Sequence, residues 1–150
     1  MDLNLPYFSF RFKDQDGKKL IFDSFRRKWV TLTPEEWVRQ NMARYLTEIK
    51  HYPSTLVALE RSLRINQHDF RTDIVLFSRS GTPLVVVECK AADVKISQQV
   101  FDQIARYNLD LRVSYLIVTN GLNHYCCRFD QTLLTYTFLA EIPDYAEIDN

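Results

Sequence analysis

The sequence predicts an α/β domain, and three observations carry that expectation. A helix start with its own cap stands at Thr33-Pro34-Glu35-Glu36. Two strand-like runs, 71–77 and 84–90, flank the turn-rich segment SRSGTP. A helical pattern beginning at Ser97 leads into a second apolar run, 113–119. Helical and strand periodicities that alternate in this way argue for helices packed on a sheet.

Taken in order, residues 8–13 and 19–30 surround Asp14-Gln15-Asp16-Gly17, so they are expected to form an N-terminal β-hairpin. Thr33 reads as an N-cap, Pro34 as the first helical residue and Glu36 as the reciprocal member of a capping box. That helix is expected from about Pro34 to Lys50, with Val38, Met42, Tyr45 and Ile49 on its buried stripe. His51-Tyr52-Pro53 stops it, and residues 56–65 (LVALERSLRI) alternate imperfectly as a strand. RTDIVLF (71–77) and LVVVECK (84–90) form the central hairpin, the second strand covered on both faces. From Ser97 a helix carries Val100, Ile104, Tyr107 and Leu111 on one stripe. Strands follow at 113–119, 124–129 and 134–139, with a turn at Asn120-Gly121, and the tail from Ile142 is acidic and expected at the periphery.

At 150 residues and 46% hydrophobic, with no repeat or linker, the chain is sized for one domain with its own core. Lysine plus arginine equals aspartate plus glutamate at 19 each, so any surface for nucleic acid must be local. Cys89, Cys126 and Cys127 have no paired C-x-x-C spacing, against a zinc ribbon or a disulfide framework. No apolar run has the ~18 residues a membrane helix needs, and the N-terminus lacks a signal pattern. The expectation is a cytoplasmic protein with reduced thiols and no membrane partner. No glycine-rich phosphate loop or nucleophile elbow supports a small-molecule α/β enzyme.

The chemistry concentrates in the central hairpin. Folded about Ser80 and Gly81, it sets Phe77 opposite Leu84, Leu76 opposite Val85 and Asp73 opposite Glu88, with facing Cβ atoms ~4.5–5.5 Å apart. Lys90 shares the face of Glu88, while Cys89 points away. Opposed carboxylates repel unless a cation sits between them, and ionised groups ending the apolar run Leu84 to Val87 are costly unless paired or used. Two hard oxygen donors suit Mg²⁺ or Mn²⁺. The bland alternative is a surface hairpin with an ordinary Glu/Lys pair.

Asp73 after Thr72, VVVECKA (85–91), the Q-x-x-x-Y sequence Gln103 to Tyr107 and LIVTNGL (116–122) together resemble the PD-(D/E)XK nuclease superfamily, and within it the N-terminal nuclease domain of type I restriction enzyme R subunits. The resemblance spans about 33–129. It implies a restriction-endonuclease-like core with a mixed central sheet flanked by helices, and metal-dependent hydrolysis of DNA, in restriction, defence or repair. It assigns Asp73 and Glu88 to the metal together with the Cys89 main-chain carbonyl, and Lys90 to catalysis. Gln103 and Tyr107 are assigned to the substrate or the edge of the site. A glutamate from the first helix often joins such sites, and Glu35 is preferred to Glu36 because Glu36 is explained by the capping box, whereas Glu35 aligns with Val38, Met42, Tyr45 and Ile49 on the buried stripe. The full restriction subunit has a motor with a G-x-x-x-x-G-K-[ST] loop, which this sequence lacks, so a larger restriction or repair assembly is an expected partner beside DNA. The competing expectation is a catalytically silent nucleic-acid-binding or assembly module on the same fold. His124, Cys126 and Cys127 are expected as ordinary strand residues, and Arg26-Arg27-Lys28 as a solvated hairpin edge rather than a nucleic-acid contact.

Overall fold

The computed structural model describes residues 2–148. A three-stranded antiparallel sheet comes first: β1 (Phe12–Gln15), β2 (Lys18–Asp23) and β3 (Lys28–Thr31). Next come α1 (Pro34–Glu48), β4 (Val57–Ile65), β5 (His68–Phe77), β6 (Pro83–Cys89), α2 (Gln98–Leu109), β7 (Tyr115–Thr119), β8 (His124–Asp130) and β9 (Thr135–Leu139). Strands β4 to β9 form one six-stranded sheet in chain order. All its neighbours are antiparallel except β6 and β7, which run parallel because α2 carries the chain back between them. The expected mixed sheet with flanking helices is therefore present.

Each face of the sheet packs against one helix. Val38, Met42, Ala43 and Leu46 of α1 meet Leu59, Ile74, Leu76, Val85, Val87 and Ile117, while Phe101 and Ile104 of α2 meet Val75, Val86, Leu116 and Val118. The apolar run in β6 is buried from both sides, which accounts for its lack of alternation. Cys126 and Cys127 fall in opposite cores, as strand alternation requires, and all three cysteines are free and buried.

The structure departs from the sequence reading in several places. The segment 19–30 is two strands, not one. Asp23 is fully buried, and its Oδ1 accepts the amides of Phe25 (2.7 Å) and Arg26 (3.0 Å), which turns the chain between β2 and β3. The β5–β6 connection is longer than a tight turn about Ser80 and Gly81. The Ser78 amide donates to the Thr82 carbonyl and the Thr82 amide to Ser78 Oγ, so Phe77 pairs with Pro83 rather than Leu84 before the expected Leu76–Val85 pairing resumes. In α2 the buried stripe runs through Phe101, Ile104 and Asn108, leaving Tyr107 half exposed with its ring edge-on to Phe70. Gly121 has a φ of +86°, and a Cβ there would lie 2.8 Å from a Leu3 methyl, so its turn depends on glycine.

The described part of the tail, 142–148, is anchored rather than peripheral. Ile142 and Ile148 are buried in the α1-side core, Tyr145 packs on Tyr52, and the Tyr52 hydroxyl donates to the Pro143 carbonyl at 3.0 Å. Buried apolar area outweighs the acidic composition that suggested a loose end. Ile148→Ala should therefore lower unfolding free energy by about 2–4 kcal/mol in urea titration. A change below about 0.5 kcal/mol would return the segment to the surface.

Candidate active site

The site begins with an interruption in the sheet. Asp73 has no ladder partner on either side: β4 pairs through Leu59–Ile74 and Arg61–Thr72, skipping Glu60, and the β6 pairing ends at Ile74–Val87. Glu60 has a φ of +49°, which breaks the regular strand geometry opposite Asp73. On the other side, the Cys89 amide donates to Asp73 Oδ2 at 2.7 Å. The register places Glu60, Asp73 and Glu88 abreast on three neighbouring strands. Glu35, from the first turn of α1, completes a cavity of about 110 Å³ lined by Glu35, Glu60, Arg71, Thr72, Asp73 and Glu88.

Of the residues singled out from sequence, Asp73, Glu88 and Glu35 thus meet at one cavity, and Lys90 stands beside them with its Nζ 3.7 Å from Glu88 Oε1. Gln103 and Tyr107 do not line it; both are exposed on α2. The Cys89 thiol is fully buried, and burial followed by the charge of Asp73 raises its pKa well above the usual thiol value, so it stays protonated.

Two arginines without a site role in the sequence reading organise these carboxylates. Arg39 Nη2 lies 2.7 Å from Asp73 Oδ1, 3.0 Å from Glu35 Oε1 and 3.2 Å from Glu60 Oε1, while its Nη1 is 2.6 Å from Glu36 Oε1. Arg26, expected on a solvated edge, instead turns inward to Asp23, to Glu36 Oε2 at 2.7 Å and to Glu60 Oε2 at 3.6 Å. Burial by itself lowers the pKa of Arg39, but the hydrogen bond and charge of Asp73, then the charge of Glu36, outweigh it and raise the value. Sequence held two clues: Arg39 stands four residues after Glu35 and three after Glu36, a helical ion-pair spacing, and Glu60 is where the β4 alternation fails.

The two helix-one glutamates are also reassigned. Thr33 Oγ1 accepts the Glu36 amide at 3.0 Å, so the cap is as expected. The reciprocal half of the capping box is absent, because the Glu36 side chain is committed to Arg26, Arg39 and Gln40 and is the buried member of the pair. Glu35 is the more exposed one, with half its side chain open to solvent.

Glu88 is the strained acid. Burial first, then repulsion from Asp73, with a smaller contribution from Glu35, raise its pKa to about 7 against the lowering by Lys90. The donors are all hard oxygens, and a carboxylate held partly neutral by its neighbours is one a divalent cation would re-ionise, so the residue chemistry fits Mg²⁺ or Mn²⁺. Among the described residues, no group of three acidic, histidine or cysteine side chains is gathered tightly enough to hold a metal as it stands. Arg39 and the Cys89 amide already engage both Asp73 oxygens.

These environments set two expected outcomes. In the metal-free protein, a folded-state pKa raised above the unfolded one adds stability at low pH that is lost as pH climbs from about 4.5 to about 7. Glu88→Gln, which cannot ionise, should therefore gain on wild type across that window and level off above it, by on the order of 3 kcal/mol. A stability difference that does not vary with pH would remove the strain assigned to Glu88. Separately, Glu36→Ala removes the buried carboxylate that Arg26 and Arg39 share, leaving them to Asp23, Asp73, Glu35 and Glu60, and should cost about 3 kcal/mol. Thr33→Ala should cost only about 1 kcal/mol, and equal losses in urea titration would contradict the buried network.

No curated protein matches the chain. A family model described as type I restriction enzyme R protein N terminus matches residues 34–143, from the first residue of α1 to just beyond β9. That span contains Glu35, Asp73, Glu88 and Lys90, and the chain belongs to the family of type I restriction enzyme R protein N-terminal domains.

Proposed function

We propose that this domain is a restriction-endonuclease-like, Mg²⁺- or Mn²⁺-dependent deoxyribonuclease working within a larger restriction or repair assembly. The observation that supports it most is the convergence of Glu35, Asp73 and Glu88 on one cavity with Lys90 beside them, in a chain of the restriction R-subunit family. Asp73 and Glu88, with the Cys89 main-chain carbonyl, would hold the metal. Bound there, it would lower the pKa of an attacking water and neutralise charge on a phosphate. Lys90 would direct its ammonium at the negative charge that builds on phosphorus, and Glu35 would orient water from the open side of the cavity. Arg39 would have to yield part of its hold on Asp73.

That last requirement also favours a second reading, a binding or assembly module without turnover. With one oxygen of Asp73 on Arg39 and the other on the Cys89 amide, the carboxylate is satisfied without a metal. Incubation of purified protein with supercoiled, linear and single-stranded DNA, with Mg²⁺, with Mn²⁺ and with EDTA, separates the two. The proposal expects metal-dependent cleavage that Asp73→Ala abolishes and Lys90→Ala slows by ~10²-fold or more in single-turnover assays, while calorimetric metal binding survives in Lys90→Ala. Cleavage that persists in EDTA or in Lys90→Ala would sink the mechanism. Absent cleavage with intact DNA binding would select the second reading.

A further inference from the structure

A second cavity, of about 410 Å³, lies between the N-terminal sheet and the start of α1. Its walls are Phe12, Lys19, Leu32, Thr33, Pro34, Trp37 and Ala92. The volume falls in the range of small-molecule sites. Two of its walls adjoin the carboxylates along the chain: Pro34 immediately precedes Glu35, and Ala92 lies two residues beyond Lys90. The aromatic walls are inclined to each other, with Phe12 and Trp37 centroids 6.3 Å apart at 40°, and Phe10 backs the Trp37 ring edge-on at 5.4 Å. Phe12 leaves 44% of its surface open to solvent beside the partly buried Trp37. Lys19 Nζ sits 5.3 Å from the Phe12 ring centre, and among the described residues it forms no ion pair, although Asp14 is its cross-strand neighbour.

Flat apolar walls with a single cation at the rim complement a flat ring carrying a negative group. We infer that this cavity receives an unpaired nucleobase of the DNA strand, stacked on the exposed ring of Phe12 with Trp37 as an inclined side wall and a neighbouring phosphate on Lys19. The occupant is a nucleotide near the one being cut, so the inference rests on the nuclease reading for its role, though not for its binding. Stacking accepts any base, because every base has a π face, so the cavity contributes affinity and register without sequence preference. It also favours a locally unpaired strand, since a base inside a duplex stack cannot enter.

The test is fluorescence anisotropy in Ca²⁺ without Mg²⁺ or Mn²⁺, comparing a labelled single-stranded oligonucleotide with an abasic sugar-phosphate chain of the same length. Wild type should prefer the base-bearing strand about tenfold or more. Phe12→Ala should lose most of that preference and Phe12→Tyr should retain it. Phe12→Tyr keeps the ring packed on Trp37 and should melt near wild type; Phe12→Ala gives up that contact, so its binding is measured below its own melting temperature with circular dichroism showing a folded domain. Lys19→Ala should weaken both ligands alike and reduce the salt slope by about one. Equal wild-type affinity for the two strands, no binding of either, or a preference that survives in Phe12→Ala would overturn the proposal and leave the cavity to a protein partner. Cleavage assays with Mg²⁺ or Mn²⁺ keep the readings apart. Cleavage without base preference removes the cavity's role alone, and base preference without cleavage removes the nuclease reading alone.

Discussion

The ion pair between Arg39 and Asp73 is the interaction on which the rest of the site depends. Six acids, Asp23, Glu35, Glu36, Glu60, Asp73 and Glu88, lie around one end of α1 and the middle of β5, against Arg26, Arg39 and Lys90. Arg39 is almost fully buried and touches four of them, so it ties the helix to strands β4 and β5 and allows their carboxylates to approach. Without a cation at that point, carboxylates this close would repel each other or take up protons. The planar guanidinium suits this work because it presents several donors in a fixed fork and remains charged when buried.

The backbone cooperates with the charge. A regular sheet would occupy the main-chain groups around Asp73 with ladder hydrogen bonds on both sides. Here Glu60 leaves the strand conformation, and the Cys89 amide turns to a side chain. The gap in the ladder opens a cavity in the middle of the sheet, where every neighbouring apolar residue is buried. The same apolar packing that fixes β6 and β7 holds Glu88 in an environment that disfavours its ionised form. The burial that stabilises the sheet thus works against the ionised form of Glu88.

The N-terminal sheet is tied to this centre as well. Its β2–β3 turn is held by buried Asp23 and sends Arg26 into the carboxylate network, while Phe10 and Phe12 pack on Trp37 of α1. The three-stranded sheet therefore supplies a charge to the carboxylate network and a wall to the second cavity.

Much of the architecture was legible in the sequence because it obeys local rules. Thr33 and Pro34 start α1 by capping, β-branched runs make β5 to β7, and the fixed two-residue alternation places Cys126 and Cys127 in separate cores. The grouping of Asp73, Glu88 and Lys90 was equally readable, since one anchoring pair in a hairpin, Leu76 with Val85, sets which residues of the two strands lie abreast. Glu35 was picked out as well, though for a reason the structure replaces: it is the exposed helix glutamate, held by Arg39, and not part of a buried stripe. Arg26, Arg39, Glu36 and Glu60 were decided only by tertiary structure. Their partners lie on other elements, and whether an arginine faces water or a buried carboxylate depends on which surfaces meet, which no local pattern records. The tail shows the same limit: its acidic composition describes the residues around Ile142 and Ile148, while their burial depends on an apolar surface beside Tyr52 that exists only once α1 and the sheet have packed.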